Sequence, residues 1–259
     1  MDLDVTRSNQ PTVRKRWYDA LKNITKSLRW READNRTINS GDSLSQTVYE
    51  VVSNSDFPDS VRNKCTQILS SALSKVVDGQ VLDLDFSGKT DITMGKTLYM
   101  YGLKTGELFA ACALMGLAVS NGTEEQAYHA TRWAKEYFNY RFQIHDDFIE
   151  NNIDGEKGKP VGRDIVEGKM TPLVIETLRR GDSGQKKTLL NAFRHSDASQ
   201  QQIEVAIDAM HASGAVSELR AYKEKLAELG KAEIEMMGLV HPFDELLKDL
   251  TEYVGVRNF

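Results

Sequence analysis

A chain of 259 residues with 40% hydrophobic content is long enough to bury one large core. Its net charge of −5 disfavours general nucleic-acid binding, and its longest mostly apolar run, Leu108 to Val119, is well short of the roughly twenty residues that cross a bilayer. Cys65 and Cys112 stand apart, without metal-type spacing, and no charged-apolar-small leader pattern opens the chain, so the expectation is a cytoplasmic protein with no transmembrane segment.

Taken in chain order, the periodic segments have helical spacing and none alternates as a strand does, which predicts an all-α chain. Helices are expected over 11–30, 42–53, 59–85, 92–120, 124–152, 165–180, 184–194, 199–212, 214–237 and 242–255. The first is basic: residues 14–31 carry seven Lys or Arg against Asp19 alone, and Trp17, Leu21, Ile24 and Leu28 repeat at helical spacing. Three readings fit such a helix: one that docks on the acidic remainder, one that binds a partner, and one that makes a peripheral membrane contact. Phe57-Pro58-Asp59 ends one helix and starts the next, and Thr123-Glu124-Glu125-Gln126 reads as a capping box. No linker or low-complexity tract divides the chain, so a single domain is expected over 1–259, with 1–35 as a divergent basic segment.

The helix opened by that capping box ends in a concentration of acids. Asp146 and Glu150 are four residues apart and Asp147 and Glu150 three, so their carboxylates can converge, with Gln143 one turn earlier. Crowded carboxylates resist ionising in a half-buried place unless a cation offsets them, and hard oxygen donors at this density suit Mg²⁺. A DDxxE pattern is often only a solvated face. Here it is followed by a glycine-rich loop, from Gly155 to Gly162, with Gly168 beyond it, and Lys159 and Lys169 on either side of that turn can reach over the acids. Ammonium groups and metal-bound carboxylates in one pocket make sense around a diphosphate, and Lys104-Thr105 on another long helix can add a third ammonium group and a hydroxyl.

Phe142-Gln143-Ile144-His145-Asp146-Asp147-Phe148-Ile149-Glu150, followed by Gly158-Lys159-Pro160-Val161-Gly162-Arg163-Asp164 and Gly168-Lys169-Met170-Thr171, resembles the second aspartate-rich region of the polyprenyl synthetase (trans-isoprenyl diphosphate synthase) family. The similarity extends through Gly41-Asp42-Ser43-Leu44, Asp78-Gly79-Gln80-Val81-Leu82-Asp83-Leu84 and Lys104-Thr105-Gly106-Glu107-Leu108-Phe109, in the family's order, over 36–259. The resemblance implies an isoprenoid synthase-type bundle of antiparallel helices around a cavity. It also implies Mg²⁺-assisted loss of diphosphate from an allylic substrate, with the resulting cation attacked by isopentenyl diphosphate. Residue by residue, it implies that Asp146 is a metal ligand, that Asp147 and Glu150 complete or support that site, and that Gln143 lies beside it. Lys104, Lys159 and Lys169 would hold the diphosphate, Thr105 would assist at the cation, and Arg257 would approach the diphosphate from the C-terminal end.

The family's earlier carboxylate cluster is not recognised before Gly41, and Asn139-Tyr140-Arg141 stands where the family has small residues. Arg141 is expected either to obstruct an apolar tunnel or to bind an anion. Beside the prenyltransferase reading, in a homodimer or in a heterodimer with a complete synthase, stand a non-catalytic regulatory subunit and a terpene cyclase-like lyase. The last rests on Asn39, Ser43 and Thr47, where the third position lacks the required glutamate.

Overall fold

The structure is a computed structural model that describes residues 5–7, 10–155 and 161–257. Its contacts divide the chain into two compact units, residues 1–66 and 67–258. Almost all of the described structure is helical, as the periodicity predicts. The exception is a two-residue antiparallel pairing, β1 (Thr6–Arg7) with β2 (Gln10–Pro11).

In the first unit the predicted basic helix does not form as one piece. α1 (Val13–Ala20) is capped by Thr12, whose hydroxyl accepts from the Lys15 amide at 3.2 Å, and it ends one turn after Trp17. Leu21 to Thr25 form a turn, and α2 (Lys26–Ser53) then runs without a break through the stretch expected as a loop. Polar side chains tie α2 to itself: Thr37 donates to the Ala33 carbonyl at 2.7 Å and Ser40 to the Arg36 carbonyl at 2.7 Å. The two helices meet through Tyr18 stacked on Trp30 at 3.9 Å between ring centroids and Arg14 over the same indole at 4.2 Å. Trp17, Leu21, Ile24 and Leu28 therefore do not make one stripe on a single helix. α3 (Asp59–Phe86) begins in this unit and ends in the second.

The second unit is built on two long rods. α4 (Met94–Tyr101) passes through a π-helical turn, Gly102–Gly106, into α5 (Glu107–Val119). α6 (Glu124–Arg132) passes through a second, Trp133–Phe138, into α7 (Asn139–Glu150). The Thr123 capping box is present as predicted, with the Gln126 amide donating to the Thr123 hydroxyl at 3.1 Å and the Thr123 amide to Gln126 Oε1 at 2.9 Å. A Cβ on Gly106 would sit 3.0 Å from the Asn139 amide nitrogen, so the rods approach closely at the π turns.

Met94–Val119 is long and apolar enough to cross a bilayer, which the sequence reading missed by counting only the run from Leu108. Two of its three charged residues are paired with neighbouring helices, Lys104 with Asp83 and Glu107 with Lys75 and Lys135, and Lys96 is exposed.

α8 (Arg163–Glu167), α9 (Pro172–Arg180), α10 (Ser183–Ala192), α11 (Gln200–Ala212), α12 (Ala215–Met236) and α13 (Phe243–Tyr253) complete the unit. The helix expected over 165–180 is divided at Gly168, whose φ of 73° ends α8. α7 is held on two sides. Ile144 and Phe148 join a core with Ile165, Leu173, Leu189 and Met210, and Phe142 packs on a second with Trp133, Phe138 and Ile234. With its apolar faces so committed, α7 leaves Asp146 and Glu150 half-exposed.

Candidate active site

Among the described residues, no three acids, histidines or cysteines are gathered as a metal would need. The acids of α7 point in different directions. Asp147 is buried, and both of its oxygens accept from the Tyr101 hydroxyl, at 3.0 and 2.8 Å. Burial, and then the charge of Asp164, push its carboxyl well above the usual range, and burial likewise raises the Tyr101 hydroxyl. Asp147 thus ties α7 to α4. Asp146 and Glu150 face outward, with side chains 41% and 39% exposed. Each has a cation beside it: Arg257 donates to Asp146 at 2.8 Å, and Arg163 lies 3.7 Å from Glu150. Burial and the charge of Asp164 raise the Glu150 carboxyl.

The expected cations also have carboxylate partners. Lys104, on the π turn, donates to Asp83 of α3 at 2.6 Å. A Cβ on Gly79 would fall on the backbone of Lys104 and Leu103, so α3 crosses the π turn at contact distance and needs a glycine there. Thr105 and Gln143 meet directly, the amide donating to the hydroxyl at 3.3 Å.

Lys169 is placed by the end of α8. The Gly168 amide bonds the Ile165 carbonyl at 3.1 Å and the Lys169 amide bonds the Asp164 carbonyl at 2.9 Å, the paired bonds of a glycine-terminated helix. That turn sends the Lys169 ammonium back to Asp164 at 3.0 Å and Glu167 at 3.1 Å. Asp164 is buried, and its carboxyl is raised by that burial against the opposing pull of Lys169. Asn151 bridges Asp164 to the end of α7, donating to its carboxylate at 3.2 Å and to the Asp147 carbonyl at 2.8 Å. Lys159 lies outside the described residues.

Arg141 neither obstructs a tunnel nor binds an external anion. It is fully buried toward α12 and α13, donating to the carbonyls of Lys223 at 2.7 Å and Thr251 at 3.0 Å and to Glu252 at 3.0 Å. Gly255 leaves it room, since a Cβ there would fall on the guanidinium. Sequence reasoning missed Tyr101, Arg163 and Asp164 as partners of the site. Arg163 and Asp164 stood within the motif it quoted, whereas Tyr101 carries no signal apart from being one turn before Lys104.

The described chain is thus an almost wholly helical fold in which two half-exposed carboxylates of α7 each have an arginine beside them. The sequence profile of the polyprenyl synthetase family matches residues 1–210, and the chain belongs to that family. The matched span takes in the basic segment set apart above. The chain is 25% identical to the geranylgeranyl diphosphate synthase of Methanosarcina mazei over 260 residues, covering all of this chain and 73% of that one. It is 32% identical to the short chain isoprenyl diphosphate synthase of Methanocaldococcus jannaschii over 215 residues, covering 82% of this chain and 60% of that one. A crystal structure of geranylgeranyl pyrophosphate synthase from Corynebacterium glutamicum, complexed with isoprenyl diphosphate and magnesium, shares the fold with a TM-score of 0.80 at 19% identity, covering 98% of this chain and 72% of that one. This chain therefore spans 60% to 73% of the length of these relatives.

The donors fit Mg²⁺ in part. Asp146 and Glu150 supply hard, half-exposed oxygens one helical turn apart, and a cation would relieve the burial that disfavours ionised Glu150. Asp147 is less open to a metal, being buried against the Tyr101 hydroxyl.

Proposed function

We propose that the chain carries trans-isoprenyl diphosphate synthase-type prenyl transfer, the condensation of an allylic diphosphate with isopentenyl diphosphate. The observation that supports it best is the ordering of charge along one edge of α7. Asp146 and Glu150 have Arg257 and Arg163 beside them, Lys169 sits on Asp164, and Lys104 is paired with Asp83 one residue before the Thr105 that meets Gln143 of α7, all through contacts that a diphosphate can replace. Mg²⁺ bound through Asp146 and Glu150 would neutralise charge on the departing diphosphate.

The chain's own groups do the rest. Lys104 and Lys169 exchange carboxylate oxygens for diphosphate oxygens, which gives them most of their effect as the leaving group gains charge. Gln143 and Thr105 fix one another beside the carbon that becomes cationic, while Tyr101 and Asp147 keep α7 in register with α4. Part of the metal site comes from a neighbouring subunit, in a homodimer or a heterodimer, or from residues outside those described. A cytoplasmic location belongs to the same proposal.

The test is to incubate the purified chain with Mg²⁺, isopentenyl diphosphate and C5, C10 or C15 allylic diphosphates, alone and mixed with a complete synthase. Product from the chain alone, lowered about 100-fold or more by Asp146→Ala, is the expected result. Product only in the mixture supports the regulatory-subunit reading instead, and a chain that binds no diphosphate overturns both.

A further inference from the structure

A second polar chain runs beneath α7 and ends at the same outward acid. Lys223 of α12 is buried, and its ammonium donates to His145 Nδ1 at 2.8 Å while lying 4.9 Å from the centre of the Phe148 ring. The other ring nitrogen of His145, Nε2, is 2.7 Å from the Arg257 carbonyl oxygen. An ammonium on one side and a carbonyl on the other leave the imidazole one arrangement: Nδ1 accepts and Nε2–H donates. Arg257 then folds back on α7. Its Nη2 donates to Asp146 at 2.8 Å, its Nη1 donates to the Val254 carbonyl at 2.6 Å, and its guanidinium lies 3.9 Å over the Phe142 ring. His145 thus holds the backbone, and Asp146 the side chain, of one arginine.

The Arg257 side chain is 7% exposed against 41% for its acid, so Arg257 is held by the fold and not by the ion pair alone. We propose that Lys223 is a positioning residue: by fixing the tautomer of His145 it seats Arg257 on Asp146, and the guanidinium must leave that acid before a divalent ion can take the same oxygen. The inference rests on the reading of Asp146 as a metal carboxylate. Arg257 then acts as a built-in counter-ion that sets how tightly the chain binds metal in the absence of diphosphate.

Two measurements test it on the full chain. Hydrogen exchange at the amides of Val254, Val256 and Arg257, which bond the carbonyls of Leu250 and Tyr253, should accelerate about tenfold in Lys223→Met and return to within about twofold in Lys223→Arg, with α7 and α12 unchanged. Mn²⁺, used as a paramagnetic stand-in for Mg²⁺ and followed by electron paramagnetic resonance without diphosphate, should bind about fivefold tighter in Lys223→Met and in Arg257→Gln. The double variant should show no further gain, because both changes act through one contact. Additive gains, unchanged terminal exchange, or acceleration spread over α7 and α12 overturns the proposal. If Lys223→Met does not fold, His145→Phe must reproduce both effects or the proposal fails. If no form binds Mn²⁺, the metal reading of Asp146 falls, and the exchange data still decide whether Lys223 seats the arginine.

Discussion

Among the described residues between 10 and 66, only Ala33 and Cys65 are buried, whereas residues 67–257 enclose two apolar clusters and a set of buried polar groups. The first region is joined by a stacked Tyr18–Trp30 pair, Arg14 on that indole, and ion pairs such as Arg14–Asp34 and Arg36–Glu32. Leu44, Val48 and Val51 stay exposed along α2. In the second region, charges are sealed inside: Arg141 is fully buried, and Lys223 and Asp147 nearly so. Surface pairs of the first kind contribute little each, while buried hydrogen-bonded charges are costly to disturb. Substitutions should therefore separate the regions sharply, and the candidate site belongs to the region where geometry is enforced.

Arg141→Leu is expected to have the largest effect, about 3–5 kcal/mol in a denaturant titration, because it strands the Lys223 and Thr251 carbonyls. The next contrast is one of pH. Burial, and then the charge of Arg141, push the Lys223 ammonium from 10.5 down to about 8. Between those values the unfolded chain holds a proton that the folded chain has released, so the lysine's contribution to stability rises with pH. Relative to Lys223→Met, the unaltered protein should gain on the order of 2–3 kcal/mol from pH 7 to pH 11.

Gly79→Ala pushes a methyl group onto the backbone of Lys104 and should cost about 1–3 kcal/mol. It should also lower kcat/KM for prenyl transfer, since the Lys104–Asp83 pair shifts with the π turn. Arg14→Met should be mildest, about 1 kcal/mol or less by thermal melting, even though it removes both an ion pair and a cation–π contact. An Arg14→Met loss as large as that of Arg141→Leu would erase the distinction between the regions.

Much of the fold is legible in the sequence wherever one helical face is apolar. The Thr123 capping box and most of the helices from α3 to α13 follow from cap residues and spacing alone. One misread stretch is polar, where side chains bond backward within the helix as Thr37 and Ser40 do in α2; at 21–25 and at Gly168 the spacing instead reads as helix straight through a break. In the site, the glycines and Lys169 are visible in the sequence, but the break at Gly168 is not, although a positive φ there is what turns Lys169 back. The orientation of adjacent acids is not visible. Asp146 and Asp147 look alike in the chain, and only the phenol of Tyr101, contributed from another rod, makes one a buried support and leaves the other exposed.

By itself, then, the sequence determined the helical class, the family resemblance and the acid–lysine segment, because these depend on local spacing and on residue type. The tertiary structure decided which acid faces outward, that Arg141 turns inward toward α12 and α13, and that Lys223 and His145 bring Arg257 onto Asp146. Those outcomes depend on groups up to 112 residues apart, whose meeting is set by how the helices pack and by the low tolerance of a buried interior for unpaired charge.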